Sequence, residues 1–174
     1  MPLLELSFNE ILQALDPAIK ETLIMVGMSS VATVLLGLPL GVVLFTTQRG
    51  GIIANPVLSV ALSTIANITR SIPYAILMLS LIPFTRWLVG SSIGPQAACV
   101  SLTIGAVPFF ARLVESALRD VHSGKVDAAH AMGSTRMQTI TKVLLPEAAP
   151  SLVAAVTTTV VTLVGYSAMA GLIG

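Results

Sequence analysis

Charge is scarce in this sequence: nine basic and eight acidic residues are spread over 174 positions. A water-soluble domain carries about 25% charged residues to keep its surface wet. At 10% charged, part of this surface faces something other than water. A 55% apolar content and a mean hydropathy of +0.92 point the same way. The net charge of +1 gives no basis for a nucleic-acid partner. The lone Cys99 has no intramolecular disulfide partner, and its apolar surroundings predict a free, buried thiol packed as a small hydrophobe. A phosphate-binding G-x-x-x-x-G-K-S/T loop is missing too, because Gly124-Lys125 lacks the upstream Gly and the following Ser or Thr. His122 and His130 have no Cys or acidic neighbours that would complete a metal site. No cofactor is therefore expected on this chain, and no ATP hydrolysis.

The first residues do not form a cleavable signal, since Glu5, Glu10 and Asp16 precede the first basic residue, Lys20. Leu3, Leu4, Leu6, Phe8, Ile11, Leu12 and Leu15 alternate with those acids, which predicts a short amphipathic helix at the membrane edge. Asp16-Pro17 is then expected to start a fresh helix, because Pro suits a first helical turn.

What the sequence has in quantity is long uncharged tracts. A span needs about 20 largely apolar residues to cross a hydrocarbon core roughly 30 Å thick. Residues 22–48, 87–111 and 148–174 carry no charge, and residues 50–85 carry only Arg70. The fold expected is an all-α membrane bundle, a single transmembrane domain with spans at about 22–47, 56–84, 91–111 and 149–171. The second tract admits one long span bent near Pro73 or two short ones turning at Arg70-Ser71-Ile72-Pro73. Residues 71–85 with Pro73 and Pro83 are short for a crossing, so one kinked span is preferred. Arg49 and the basic stretch 112–147 then share a side, with Lys20 and Arg86 opposite, and the basic side is cytoplasmic. Trp87 beside Arg86 reads as an interfacial anchor. Gly37, Pro39, Gly41, Gly105 and Pro108 inside the spans suit either close helix packing or hinges.

The extended polar stretch holds five of the nine basic residues: Arg112, Arg119, Lys125, Arg136 and Lys142. Leu113, Val114, Ala117, Leu118 and Val121 keep helical spacing beyond the third span, and Glu115 precedes Arg119 by four, the favourable order for an ion pair. His122-Ser123-Gly124 is expected to stop that helix, with Gly as its cap. A second short helix is expected from about Ser123, with Asp127 in its first turn and Ala128, Ala129 and Ala131 forming a minimal surface exposed to the cytosol. Ser134 is expected to cap a third helix with Met137, Ile140, Val143 and Leu144 on its apolar face, ended by Pro146. Spacing alone leaves two readings open, a loop that docks a partner and a loop folded on its own bundle.

Asp127-Ala128-Ala129, three residues, Gly133, nine residues, Val143, one residue and Leu145-Pro146 resembles the EAA signature of ABC importer permeases, which reads Glu-Ala-Ala, three, Gly, nine, Ile, one, Leu-Pro. The register holds over twenty positions, with Asp for Glu and Val for Ile. Thr69-Arg70-Ser71-Ile72-Pro73, Ile82-Pro83-Phe84-Thr85-Arg86, Pro108-Phe109-Phe110-Ala111-Arg112 and Leu163-Val164-Gly165-Tyr166-Ser167-Ala168-Met169 are similar to the methionine-type permeases, from about Glu21 onward. The resemblance implies a multi-pass subunit of the bacterial cytoplasmic membrane that forms a homodimer. Its implied partners are cytoplasmic ATP-binding subunits, which hold the ATP and Mg, and an extracytoplasmic substrate-binding protein. It assigns coupling to the ATPase to Asp127, Ala128, Ala129, Ala131, Gly133, Leu145 and Pro146. The family core has five spans, and this sequence ends at Gly171-Leu172-Ile173-Gly174, before a fifth, so the chain as written is expected to transport little.

Arg70, Ser71, Pro73, Thr162, Tyr166 and Ser167 are the pathway candidates. Arg70 is costly at mid-membrane, about 2.5–3.5 kcal/mol on insertion scales, and needs either a structural partner, such as carbonyls freed at the Pro73 kink, or a place in the pathway. Thr157, Thr158, Thr159, Thr162, Tyr166 and Ser167 form a polar stripe that either bonds its own helix or lines the pathway. An amino-acid importer permease, with methionine as substrate by resemblance, leads the functional readings. A permease for another small amino acid and a membrane scaffold that recruits a cytoplasmic partner are the alternatives. A self-sufficient secondary transporter is disfavoured, because the spans lack the intramembrane Asp or Glu of a proton relay.

Overall fold

The computed structural model describes residues 8–171, and among these the regular structure is entirely helical. Three helices are long and apolar enough to cross a membrane: α1 (Phe8–Thr46), apolar over Leu15–Thr46, α5 (Pro95–Arg119) and α9 (Ala149–Gly171). These are the three tracts that carry no charge over a full span length. Many large apolar side chains on them point away from the chain, among them Leu35, Val161 and Val153. Such a surface is stable only against lipid or other apolar helices.

α5 is the central post. α1 lies alongside it in the same direction, as Cys99 Sγ to the Met25 carbonyl (3.7 Å), Gly37 against Phe110 and Gly41 against Val114 show in succession. α9 runs the opposite way. Leu163 packs in one apolar cluster with Leu102, Met25 and Tyr74, and Ala155 and Ala148 join a second cluster with Phe110, Val114 and Leu118. The apolar core is therefore two layers stacked along α5.

The tract between α1 and α5 is α2 (Pro56–Ser71), α3 (Tyr74–Ser80) and α4 (Ile82–Val89). Asn55 caps α2, its side chain accepting from the Leu58 amide at 3.1 Å. Pro73 lacks an amide proton and drives Ile72 to extended backbone (φ −82°, ψ 125°), which breaks the helix. Pro83 causes a second interruption at Leu81 by the same missing donor. The tract descends α5 in one direction. Asn67 meets Arg112, Tyr74 meets Ser101, and Ile82 and Thr85 share a small cavity with Ala97 and Gly94. The expected bend at Pro73 is present.

Several expected boundaries move. Helix α1 runs through Pro17 without a break, so no fresh helix starts there, and residues 1–7 of the expected amphipathic helix lie outside the described residues. α5 ends at Arg119 with Asp120 as its cap, while Gly124 lies inside the next helix, α6 (Ser123–Ala131). His122 caps α6, its Nδ1 accepting from the Gly124 amide at 3.1 Å. Asp127 is therefore beyond the first turn, where the helix dipole no longer favours it. Thr135 rather than Ser134 caps α7 (Arg136–Gln138), in a capping box closed by Gln138. Pro146 does not end the helical run. A π-helical stretch over Thr139–Leu144 widens the backbone just before it, and α8 (Leu145–Glu147) continues toward α9.

Candidate functional site

The polar segment after α5 is two short helical arms joined at Gly133, whose φ of +78° favours glycine. Ser134 donates its amide to the Ala129 carbonyl (3.0 Å), closing the turn between the arms. Asp127, Ala128 and Ala131 are exposed, and Ala129 is buried at 1% accessibility, so the alanines do not form one outward face. One residue is about 100° of helical rotation, enough to turn Ala129 inward while Ala128 looks out. Ile140 and Leu144 are buried as expected, and Val143 is partly buried. Met137 breaks the expected apolar face, because it is two-thirds exposed. With Met132, at 80% exposure, it places two flexible thioethers on the surface beside the small alanines. These two methionines were not legible as surface groups, since each sits where helical spacing predicts burial or no face at all. Leu145 packs against the inner core layer and Pro146 is exposed.

A polar clamp fixes where this segment leaves the bundle. Glu115 is buried and accepts from Arg112 Nη1 (2.6 Å), Arg119 Nη2 (2.7 Å) and Gln48 Nε2 (2.5 Å). Arg112 also donates to the Ser63 carbonyl and to Asn67 Oδ1, both at 3.1 Å. The clamp ties α2, α5 and the turn that follows α1 together at one end of the bundle. The Glu115–Arg119 spacing predicted one of these bonds; Gln48 and Asn67, distant in sequence, gave no signal. Lys125 pairs with Glu147, holding α6 to the start of α9.

The pathway candidates separate. Arg70 and Tyr166 line one cavity of about 140 Å³ together with Thr69, Ile72, Tyr74, Leu77, Gly105 and Phe109. Tyr166 stacks on Tyr74 with ring centroids 4.5 Å apart and planes 3° from parallel. Ser71, Pro73, Thr162 and Ser167 are not in that wall. The Ser71 hydroxyl donates to the Asn67 carbonyl (2.9 Å), Thr162 to Thr158 (2.8 Å) and Ser167 to Val164 (2.8 Å). Thr157, Thr158 and Thr159 likewise bond carbonyls four residues back. The threonine stripe thus serves its own helix. Trp87 is 78% exposed and tilts against Phe84, as an interfacial anchor would. Cys99 is only partly buried.

The family described as binding-protein-dependent transport system inner membrane component matches residues 37–174, most of the described bundle and all of the polar segment after α5. The chain belongs to this family. The permease is 58% identical over 151 residues to the D-methionine transport system permease protein MetI of Yersinia pestis, across 87% of this chain and 70% of that one. It is 56% identical, with the same coverage, to the protein of that name in Escherichia coli strain K12. Among solved structures, an inward-facing MetNI methionine ABC transporter matches with a TM-score of 0.93 at 51% identity, covering 97% of the permease and 78% of that chain. The recognition from Asp127-Ala128-Ala129 through Leu145-Pro146 therefore holds, and with it the placement in the inner membrane.

Proposed function

We propose that this permease forms the membrane pathway of an ATP-driven methionine importer, as a homodimer whose subunits each dock a separate ATP-binding subunit, with an extracytoplasmic binding protein delivering substrate. The observation that carries the reading is the cytoplasmic segment: Ala128, Ala131, Met132 and Met137 stand exposed around Gly133, in register with the importer signature, at the end of a helix clamped to the bundle. Small side chains let a partner backbone come close, and thioethers fill an irregular pocket. Asp127, Leu145 and Pro146 complete that docking segment, and the buried Ala129 supports it from within. ATP and Mg belong to the partner. Arg70 and Tyr166 belong to the pathway, while Ser71, Pro73, Thr162 and Ser167 shape the helices around it.

Gly133→Leu tests the docking role. A side chain at positive φ is strained, and its bulk stands where the partner approaches. Membrane insertion should be normal, while ATP-dependent methionine uptake in proteoliposomes falls about tenfold or more, as for an interface hot spot. Normal coupled uptake in that variant would sink the docking assignment. A wild-type complex that binds an ATPase subunit but moves no amino acid would point instead to a recruiting scaffold.

Four crossings go with this function, and the single direction in which the α2–α4 tract descends α5 supports one crossing by that tract. In a background with Cys99 replaced by Ser, Arg49→Cys and Ser134→Cys should label from the cytosolic side and Ser91→Cys from outside. Labelling of Arg49→Cys and Ser134→Cys from opposite faces would require the tract to cross twice.

A further inference from the structure

Among the described residues, none answers the charge of Arg70. Its cavity is shared with Gly105 and Phe109, which lie about 15–20 Å along α5 from Pro95 at 1.5 Å per residue. Counted from the other end, Gly105 and Phe109 stand only about 5–10 Å from Arg112, so the cavity lies in the half of a core roughly 30 Å thick that borders the charged clamp. Among the described residues Arg70 makes no ion pair, and its neighbours Thr69 and Ser71 direct their hydroxyls to the Ile65 and Asn67 carbonyls of their own helix. The carbonyls near the Pro73 break do not take it up either: the Thr69 carbonyl accepts from the Ile72 amide and the Pro73 carbonyl from Ile76 and Leu77. An ionised group at this depth is retained where it faces a cavity and meets an opposite charge.

The rest of the wall is of a different kind. The Tyr74 hydroxyl is occupied by Ser101 (3.2 Å), and its ring stacks flat on that of Tyr166, so the pair brings aromatic surface to the cavity wall. Leu77, Ile72 and Phe109 add apolar surface. Gly105 keeps the cavity open, since a Cβ there would stand 3.3 Å from the Tyr74 ring. One unpaired guanidinium against an aromatic and aliphatic wall matches a small molecule with a carboxylate at one end and an apolar chain at the other.

We infer that this cavity binds the α-carboxylate of the transported amino acid through Arg70, with the Tyr74–Tyr166 stack receiving its apolar side chain. The guanidinium offers a planar fork of donors that fits both carboxylate oxygens, and a thioether sulfur is favoured beside an aromatic ring. Anionic lipid headgroups share the charge but sit at the interface, away from the depth of Gly105. The inference rests on the importer reading above and adds to it the group that recognises substrate within the membrane.

The test uses the permease assembled with its ATP-binding subunit in lipid nanodiscs without the binding protein, and radiolabelled L-methionine as probe. Unlabelled L-methionine should compete fully, while L-methioninol, which lacks the carboxylate, should compete about tenfold or more weakly, the loss expected for one charge-assisted contact. Arg70→Gln should weaken methionine binding about as much, and Arg70→Lys less, because it keeps the charge without the fork. Equal competition by methioninol in the wild type overturns the site and needs no folded variant. Absence of saturable methionine binding overturns it as well. Binding that is lost when phosphatidylcholine is replaced by phosphatidylglycerol would assign Arg70 to a lipid phosphate instead. Parallel ATP-dependent uptake by the wild type, with its binding protein, separates the two levels. Uptake without the carboxylate preference removes only this site, and no uptake removes the importer reading along with it.

Discussion

Glu115→Ala should destabilise the permease by about 3 kcal/mol, the lower end of what removing one partner of a buried ion pair costs. Glu115 is 4% exposed and accepts from three donors, two on α5 and Gln48 in the turn after α1, and Arg112, itself 20% exposed at its side chain, would lose its charge partner while remaining confined between α2 and α5. Arg119 is 60% exposed, so its share is screened by solvent and small. The effects should rank accordingly: Glu115→Ala largest, Glu115→Gln intermediate because an acceptor remains, and Arg119→Ala within about 1 kcal/mol of wild type. Thermal unfolding of the purified permease in one detergent measures the series. Equal, small shifts for Glu115→Ala and Arg119→Ala would mean that the clamp does not hold the cytoplasmic ends together.

The clamp sits where α5 hands over to the two short arms around Gly133. Gly133 is joined to the bundle through α6, the Lys125–Glu147 pair and the π-helical run toward α9 on one side. On the other side it reaches α5, and from there α1 and α2 through Glu115 and Arg112. Both routes end at helices that wall the Arg70 cavity: α2 carries Thr69 and Arg70, α5 carries Gly105 and Phe109, and α9 carries Tyr166. Gly133 and the Arg70 cavity are thus connected through packed helices and paired charges.

How much of this was legible in the sequence depends on the range of each interaction. The three long helices follow from charge-free tracts of span length, and the break at Pro73 from a missing amide, so both were readable. Boundaries set by competition between adjacent residues were not. Ser134 and Thr135 are both good caps; the Gln138 three residues after Thr135 decides for Thr135, and that signal was present in the sequence. Pro146 reads as a stop, yet the π-helical widening before it removes the clash its ring would make. Ala129 and Met137 exchanged places relative to expectation because periodicity gives a face but not which way it turns. The Tyr74–Tyr166 stack and the Arg112–Asn67 bond join residues far apart in the chain, and no local pattern encodes them. The Arg70 cavity was therefore half visible: its charge was conspicuous in an apolar tract, its aromatic wall was not.

Gly41→Leu should be the most disruptive single change in the bundle. α1 and α5 approach so closely that a Cβ at Gly41 would lie 2.5 Å from the Val114 Cβ and 2.6 Å from the Ala111 carbonyl oxygen. Neither atom ends a flexible side chain, so the helices themselves must separate. In lipid the helices are held by packing rather than by exclusion of water, and separation forfeits contacts along the whole seam, including Phe110 and Val114 in the inner core layer. Even Gly41→Ala is expected to cost about 1–3 kcal/mol, as overpacking does, and Leu more, to the point of lost assembly. Gly37 should be less sensitive, because its nearest neighbour, Phe110 Cδ1 at 2.7 Å, is side chain and the nearest backbone atom, the Val107 carbonyl oxygen, is farther away at 3.3 Å. Gly27 and Gly165 have nothing within 4 Å of the added atom, so alanine there should leave the unfolding temperature of the isolated permease near wild type. Unfolding midpoints for Gly41→Ala, Gly37→Ala, Gly27→Ala and Gly165→Ala, measured side by side, test the order. A Gly41→Ala protein as stable as Gly27→Ala would show that α1 and α5 do not pack at the separation described.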